Sequence, residues 1–263
     1  MRVVTNEAHL SRNRRIAHIL FFVSLAGMAA GFFYTWTSDP ATSANISCFL
    51  LPTLLFMTLI SVRMANTWIR EPRPERVLDE TLKGLGRQYT LFHHILPAPH
   101  VLIGPEGVFT LTTQWHERQY KVSGSKWSGD RGLLGRLTGY LRQDLIGNPF
   151  HEAQFHAQQM QKLVDQIAPD SGIEVQPLVV FTSPKVRLEI DDPIIPVLYA
   201  DPKRKPSLRG YLRDLKGQER PTLTEEHLDI IDRMYGLVTR QEIEAALGGG
   251  SLPLEEDAPD DEE

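Results

Sequence analysis

The distribution of hydrophobic and charged residues divides the chain into an apolar N-terminal part and a longer amphipathic part. Residues 16–36 contain no Asp, Glu, Lys or Arg, and residues 46–62 form a second uncharged segment that could continue to Trp68. At about 1.5 Å per residue, the first segment would span roughly 31 Å, which matches a bilayer core of about 30 Å. The pattern therefore predicts a transmembrane helical hairpin over residues 16–68. A cleaved signal peptide fits less well, because the first segment is long and a second one follows it.

Positive charges flank the predicted hairpin on one side only. The connector at residues 37–45 has no Lys or Arg, whereas the basic residues precede residue 16 or follow residue 62, namely Arg2, Arg12, Arg14, Arg15, Arg63, Arg70, Arg73 and Arg76. This bias predicts a multi-pass protein of the bacterial inner membrane, with a basic N-terminus (residues 1–15), the main domain and the C-terminus all cytoplasmic. Gly27 and Gly31 allow close helix contact, either with the second span of the same chain or in a homodimer.

After a stiff linker at residues 69–76, helical and strand patterns alternate. Apolar residues at 101–103 and 108–111 flank a Pro-Glu-Gly turn at 105–107, which predicts a central β-hairpin. Helical periodicity marks residues 75–88, 149–167 and 207–215, and strand patterns mark residues 89–96, 119–122, 174–182, 186–190 and 194–199. This order predicts an α/β domain over residues 77–215, with a mixed β-sheet flanked by helices. Further helices are expected within residues 216–247.

Charge and composition add two features to this outline. The 263 residues carry a formal net charge of −5, but the last nine include seven acids, and without these the charge becomes +2. Residues 248–263 are therefore expected to be a disordered acidic tail. Residues 129–147 form a basic, leucine-rich insertion, which could lie on anionic lipid or pack as a lid on its own domain. The single Cys48 excludes an intrachain disulfide.

Several features along residues 75–199 resemble the NERD (nuclease-related) domain, a branch of the PD-(D/E)XK nuclease fold. The matching features are Glu75 at the start of an apolar helix, His93 near the end of the first strand, Gly107-Val108-Phe109 in the hairpin, Trp127 after the next turn, Asn148-Pro149 opening a helix, and the apolar strand at residues 179–181. The resemblance implies a restriction-endonuclease-like fold and nucleic acid as the partner.

The residues that perform catalysis in that family are substituted in this chain. The family's two metal-binding carboxylates fall at His100 and Thr112, and its lysine falls at Gln114. Glu75 and Glu152 occupy the two matching helix positions. Because Mg²⁺ requires oxygen ligands with compensating charge, the resemblance predicts a degenerate nuclease-like domain without a metal cofactor, which binds or scaffolds rather than cleaves.

Two alternatives remain open at this point. A relocated metal site could use Glu75, His100 and Glu152, and it would make the protein a nuclease dependent on Mg²⁺ or Mn²⁺. His93 and His94 are not expected to join one such site together, because adjacent residues of a strand face opposite sides. Alternatively, the chain is an adaptor for a cytoplasmic protein, bound through the C-terminal helices and the acidic tail.

Overall fold

The computed structural model describes residues 1–129, 147–218 and 220–237. Three predicted features lie outside the described residues: the basic insertion apart from its two ends, the part of the C-terminal helical region beyond residue 237, and the acidic tail. Contacts within the chain define two units, Met1–Leu223 and Thr224–Glu263. The described part of the second unit contains the helix Glu225–Met234, whose N-terminus is closed by a capping box between Thr224 and His227.

The described residues of the first unit form five helices and nine strands. The helices are α1 (Glu7–Thr37), α2 (Pro40–Trp68), α3 (Pro74–Leu82), α4 (Pro149–Ile167) and α5 (Leu208–Leu215). The strands are β1 (Arg2–Thr5), β2 (Thr90–His93), β3 (His100–Gly104), β4 (Gly107–Gln114), β5 (Gln119–Gly124), β6 (Lys126–Gly129), β7 (Val175–Phe181), β8 (Arg187–Pro193) and β9 (Val197–Tyr199).

Helices α1 and α2 form an antiparallel pair, and both are long and apolar enough to cross a membrane. Only 11% and 6% of the residues in their apolar segments are buried. The connector is Ser38-Asp39, shorter than the predicted 37–45, because α2 already begins at Pro40, where proline's fixed φ suits a first helical position. A Cβ on Gly27 would lie 3.0 Å from Leu54, so this face of α1 packs on α2 of the same chain.

The main sheet has six strands in the order β1-β2-β3-β4-β7-β9. Strands β2, β3 and β4 pair in antiparallel fashion, whereas β1–β2, β4–β7 and β7–β9 are parallel pairs, which confirms the predicted mixed sheet. The central hairpin is confirmed as β3–β4, and Gly107 closes its turn with a φ of +130°, a conformation that favours glycine. A second sheet has the order β6-β5-β8.

Helices cover both faces of the main sheet. On one face, α3 and α5 bury leucines such as Leu78 and Leu212 against Phe109 and Leu111 of β4. On the other face, Phe150 of α4 packs with the alternate residues of β7 and with the small sheet. The predicted helix at 75–88 ends at Leu82, since the chain turns at Gly84 with a φ of +89°. The predicted strand at 89–96 is shorter too, and ends at His93.

The N-terminal strand β1 had no counterpart in the sequence analysis, which assigned residues 1–15 only to a basic N-terminus. It forms the edge of the main sheet, and the Arg2 amide donates to the Tyr89 carbonyl at 2.8 Å. At the other end of the strand, the Asn6 amide donates to the His93 carbonyl at 3.0 Å. Asn6 then caps α1 through the His9 amide. The helical hairpin is therefore joined to the α/β sheet on both sides, by β1 before it and by α3 after it.

Candidate functional site

Polar side chains gather at the end of the main sheet where β2 and β4 finish and β3 begins. Leu91 and Leu102 share a core with Leu78 of α3, so their neighbours two residues away, His93 and His100, lie on the same side of the sheet. Thr112 and Gln114 of β4 instead bond to side chains of α4 on the opposite side. The five family-matched positions thus lie in two groups at one end of the sheet.

The first group centres on a buried pair of histidines. His93 Nδ1 and His100 Nδ1 are 2.8 Å apart, and His93 Nε2 lies 3.2 Å from Asp79 Oδ1 on α3. His93 is fully buried and His100 is 3% exposed. When both rings are neutral, His93 donates its Nε2–H to the Asp79 carboxylate, and its Nδ1 accepts the Nδ1–H of His100. In that arrangement the Nε2 atom of His100 carries no proton, and neither does the accepting Nδ1 atom of His93.

His94 joins the same group, which corrects the expectation that His93 and His94 could not contribute to one site. Strand β2 ends at His93, and His94 adopts a φ of +55°, so the alternation of a strand no longer applies. Its ring lies 5.0 Å from the ring of His100, and its Nε2 lies 3.1 Å from Glu75 Oε1. Glu75 and Asp79 are four residues apart on α3, and each carboxylate therefore engages one of the two adjacent histidines.

Burial and the neighbouring rings determine the charge of this group. Burial, assisted by His93, His94 and His156, holds the pKa of His100 well below its ordinary value, so His100 is neutral near pH 7. Burial is the largest single influence on the pKa of Glu75 and would raise it, but the hydrogen bond from His94, a backbone hydrogen bond and the charge interactions with His94 and His93 together lower that pKa. Glu75 therefore remains a carboxylate facing His94, beside the neutral ring of His100.

The second group lies between β4 and the start of α4. Thr112 Oγ1 is 3.0 Å from His156 Nδ1, and Gln114 Nε2 donates to Glu152 Oε2 at 3.1 Å. The predicted Asn-Pro helix start positions both α4 residues, because the Asn148 side chain accepts from the Phe150 amide and Pro149 opens the helix. Burial lowers the pKa of His156. Partial burial raises the pKa of Glu152, opposed by Gln114 and by Arg63 of α2.

The base of the helical hairpin contacts the histidine group directly. The rings of His9 on α1 and His94 stack at 5.9 Å, and Trp68 on α2 lies 5.6 Å from His9 and 5.4 Å from His94. A further contact places the Arg70 guanidinium 3.9 Å above the Trp115 ring. The hairpin therefore supplies part of the wall of the candidate site.

Sequence reasoning missed Asp79, His9 and Trp68 as parts of this site. Asp79 has a sequence signal, because it lies one helical turn after Glu75 and so shares a face of α3 with it. His9 and Trp68 have no comparable signal, since only the folding of the hairpin onto the sheet brings residues from the two ends of the hairpin together. His156 was not singled out from the sequence either, although it lies one helical turn after Glu152 on α4.

The chemistry that this arrangement supports is proton exchange and hydrogen bonding. The proposed metal ligands do not form one cluster, because Glu75 pairs with His94 whereas Glu152 pairs with Gln114. Within the part of the chain that the structure describes, no group of three or more His, Cys, Asp or Glu side chains is arranged to hold a metal ion. The polar groups instead satisfy one another in pairs.

Comparison with known proteins assigns no family to the chain. No family model matches it, and neither a curated protein nor a solved structure is significantly similar to it.

Proposed function

We propose that this protein is a membrane-anchored, catalytically inactive member of the nuclease-related (NERD-like) group, with a binding or scaffolding role toward nucleic acid. The proposal places the α/β domain on the cytoplasmic side of the inner membrane, held there by α1 and α2. Its partners are then the lipid bilayer and a nucleic acid, and it requires no metal cofactor.

The observation that carries the proposal is the bonding of the two family-matched positions on β4. Thr112 and Gln114 stand where the resemblance implies a carboxylate and a lysine, and both are buried and hydrogen-bonded to His156 and Glu152. A neutral hydroxyl and a neutral amide cannot offset the dehydration of Mg²⁺. Their hydrogen bonds maintain the architecture of the site without that ion.

The exposure of the hairpin supports the membrane assignment. Most of the large exposed apolar side chains among the described residues lie on α1 and α2, including Phe22, Phe32, Phe33, Trp36, Phe49 and Phe56. A contiguous apolar surface of this size is unfavourable in water, whereas the acyl chains of lipid would cover it. The small residues between the helices allow the pair to insert as one unit.

A cleavage assay tests the inactive assignment against the relocated-site alternative. The full chain in lipid nanodiscs is incubated with single- and double-stranded DNA and RNA in the presence of Mg²⁺, Mn²⁺ or Zn²⁺. We expect no cleavage with any metal. Cleavage that Glu75→Gln or Glu152→Gln abolishes, while the exposed control Glu174→Gln retains it, would refute the inactive assignment and establish a metal-dependent nuclease.

A retention assay tests the binding role against the adaptor alternative. Nanodiscs carrying the full chain are equilibrated with labelled DNA or RNA over a range of salt concentrations. Binding through phosphates predicts an affinity that falls steeply as salt rises, because each neutralised phosphate releases counterions. Nanodiscs that retain no more nucleic acid than empty ones would contradict the nucleic-acid role and favour a protein partner.

A further inference from the structure

A basic cleft lies between helix α5 and the turn that follows α3. It has a volume of about 980 Å³, and its walls include the segment 84–89, apart from Arg87, and most of residues 205–216. The volume is at the upper end of the range for small-molecule sites, which is about 300–1,000 Å³. The cleft therefore has room for a ligand considerably larger than a single inorganic anion.

Four cationic side chains line this cleft, against one acidic side chain. Arg209, Arg213 and Lys216 recur at spacings of four and three along α5 and its C-cap, so they form one stripe, and Lys205 lies just before the helix. The adjacent stripe of α5 (Leu208, Leu212 and Leu215) is buried in the core, with Leu212 at the boundary with the cleft. The amphipathic helix is thus fixed by its leucines so that its cations face the cleft.

Two of these cations differ in how firmly they are held. The Arg209 guanidinium donates to the Lys83 carbonyl at 3.2 Å, which holds it across the cleft from α5 to the end of α3. Arg213 lies 3.7 Å from Asp214, but both side chains are more than 70% exposed, so this ion pair contributes little and a ligand could replace it. The Ser207 side chain caps the helix through the Gly210 amide at the same edge of the cleft.

The cleft lies away from the end of the domain that faces the proposed membrane. Its wall includes Tyr89, whose carbonyl accepts from the Arg2 amide at the start of β1, whereas α1 begins beyond the other end of that strand. A four-residue strand is about 13 Å long. The cleft therefore lies at the opposite end of β1 from the hairpin, which favours a ligand from solution over a lipid headgroup.

We propose that this cleft binds a soluble phosphorylated ligand of nucleotide size. Guanidinium and ammonium groups on one helix face suit the oxygens of adjacent phosphates. The half-buried Tyr211 ring and the Pro202 and Pro206 rings in the wall offer apolar surface to an organic group attached to the phosphates. This site is separate from the histidine group, so it does not depend on the proposed nucleic-acid role.

Calorimetric titration of the full chain in neutral-lipid nanodiscs tests this proposal, with ATP, pyrophosphate and adenosine as probes. ATP and pyrophosphate should bind, and adenosine should bind at least about tenfold more weakly, because the phosphates make the charged contacts. The exposed double variant Arg213→Gln/Lys216→Gln should weaken ATP binding by about tenfold or more. The charge-matched variant Lys121→Gln/Arg187→Gln, on the exposed face of the small sheet, should leave it unchanged.

Three results would overturn the proposal. The first is a wild-type chain that binds neither ATP nor pyrophosphate. The second is an equal loss of binding in both double variants, which would show a non-specific effect of net charge. The third is binding restricted to oligonucleotides or to vesicles of anionic lipid, which would assign the cations to nucleic acid or to a membrane instead. None of these results depends on the cleavage assay at the histidine group. Failure of the ligand proposal can therefore be distinguished from failure of the inactive-nuclease proposal.

Discussion

Acidification should weaken the fold through His100, whose pKa is held well below its ordinary value by burial and by the neighbouring histidines. An unfolded histidine has a pKa of about 6.5. The unfolded chain therefore binds more protons than the folded chain as the pH falls through 6.5, and stability falls with it. When the pH falls from about 7.5 to 5.5, one histidine that stays neutral in the folded chain lowers the unfolding free energy by about 1.4 kcal/mol.

The variant His100→Asn isolates this contribution. An asparagine amide can replace Nδ1 as the donor to His93, and it does not titrate in this range. Urea unfolding of the full chain in detergent micelles, followed by tryptophan fluorescence, would be compared at the two pH values. We expect the acid-induced loss to be smaller in the variant by about 1.4 kcal/mol. Burial also lowers the pKa of His156, so His156 contributes to the acid-induced loss in the same direction. This contribution remains in the variant.

The control is His151→Asn, which removes an exposed histidine of α4. It should show the same acid-induced loss as the wild-type chain. If the wild-type chain and His100→Asn lose equal stability between the two pH values, His100 titrates in the folded chain as it does in the unfolded chain. That result would refute the assignment of His100 as a buried histidine that stays neutral in the fold.

Three further perturbations test the fold. Phe109→Ala should lower the unfolding free energy by about 3–5 kcal/mol in the same urea assay, because it empties a fully buried position of β4. A loss below about 1 kcal/mol would contradict the placement of Phe109 in the core. Asn6→Ala removes the cap of α1 and should cost about 1 kcal/mol. Gly27→Leu should lower the thermal midpoint of unfolding in micelles, because a side chain there meets Leu54. Ala29→Leu, on the exposed face of α1, should leave the midpoint unchanged. Equal shifts in the two variants would argue against this helix contact.

Much of the architecture could be predicted from local sequence patterns. The uncharged segments predicted two apolar helices, because length and composition suffice for that inference. The central hairpin followed from apolar residues on both sides of a glycine turn, and α4 began at Asn148-Pro149 as its capping residues indicated. These features depend on residues close together in the chain, and short-range physics determines them.

Other features had no local signal and depend on pairing between distant residues. Strand β1 is four residues long and exists through its pairing with β2, which lies more than eighty residues later. Its residues Val3, Val4 and Thr5 favour extended structure, but so short a segment forms a strand only where a partner supplies the hydrogen bonds. The periodic pattern of a strand also misplaced His94, because it cannot show where the strand ends.

The candidate site combines both kinds of information. The sequence by itself determined which side chains stand at the family-matched positions, and hence that Thr112 and Gln114 carry no charge. Only the tertiary structure decided that Thr112 meets His156, that Gln114 meets Glu152, and that the base of the hairpin closes on His94. The physical reason is that hydrogen bonding, burial and pKa depend on which distant groups come within a few ångströms, and the packing of helices on a sheet determines that.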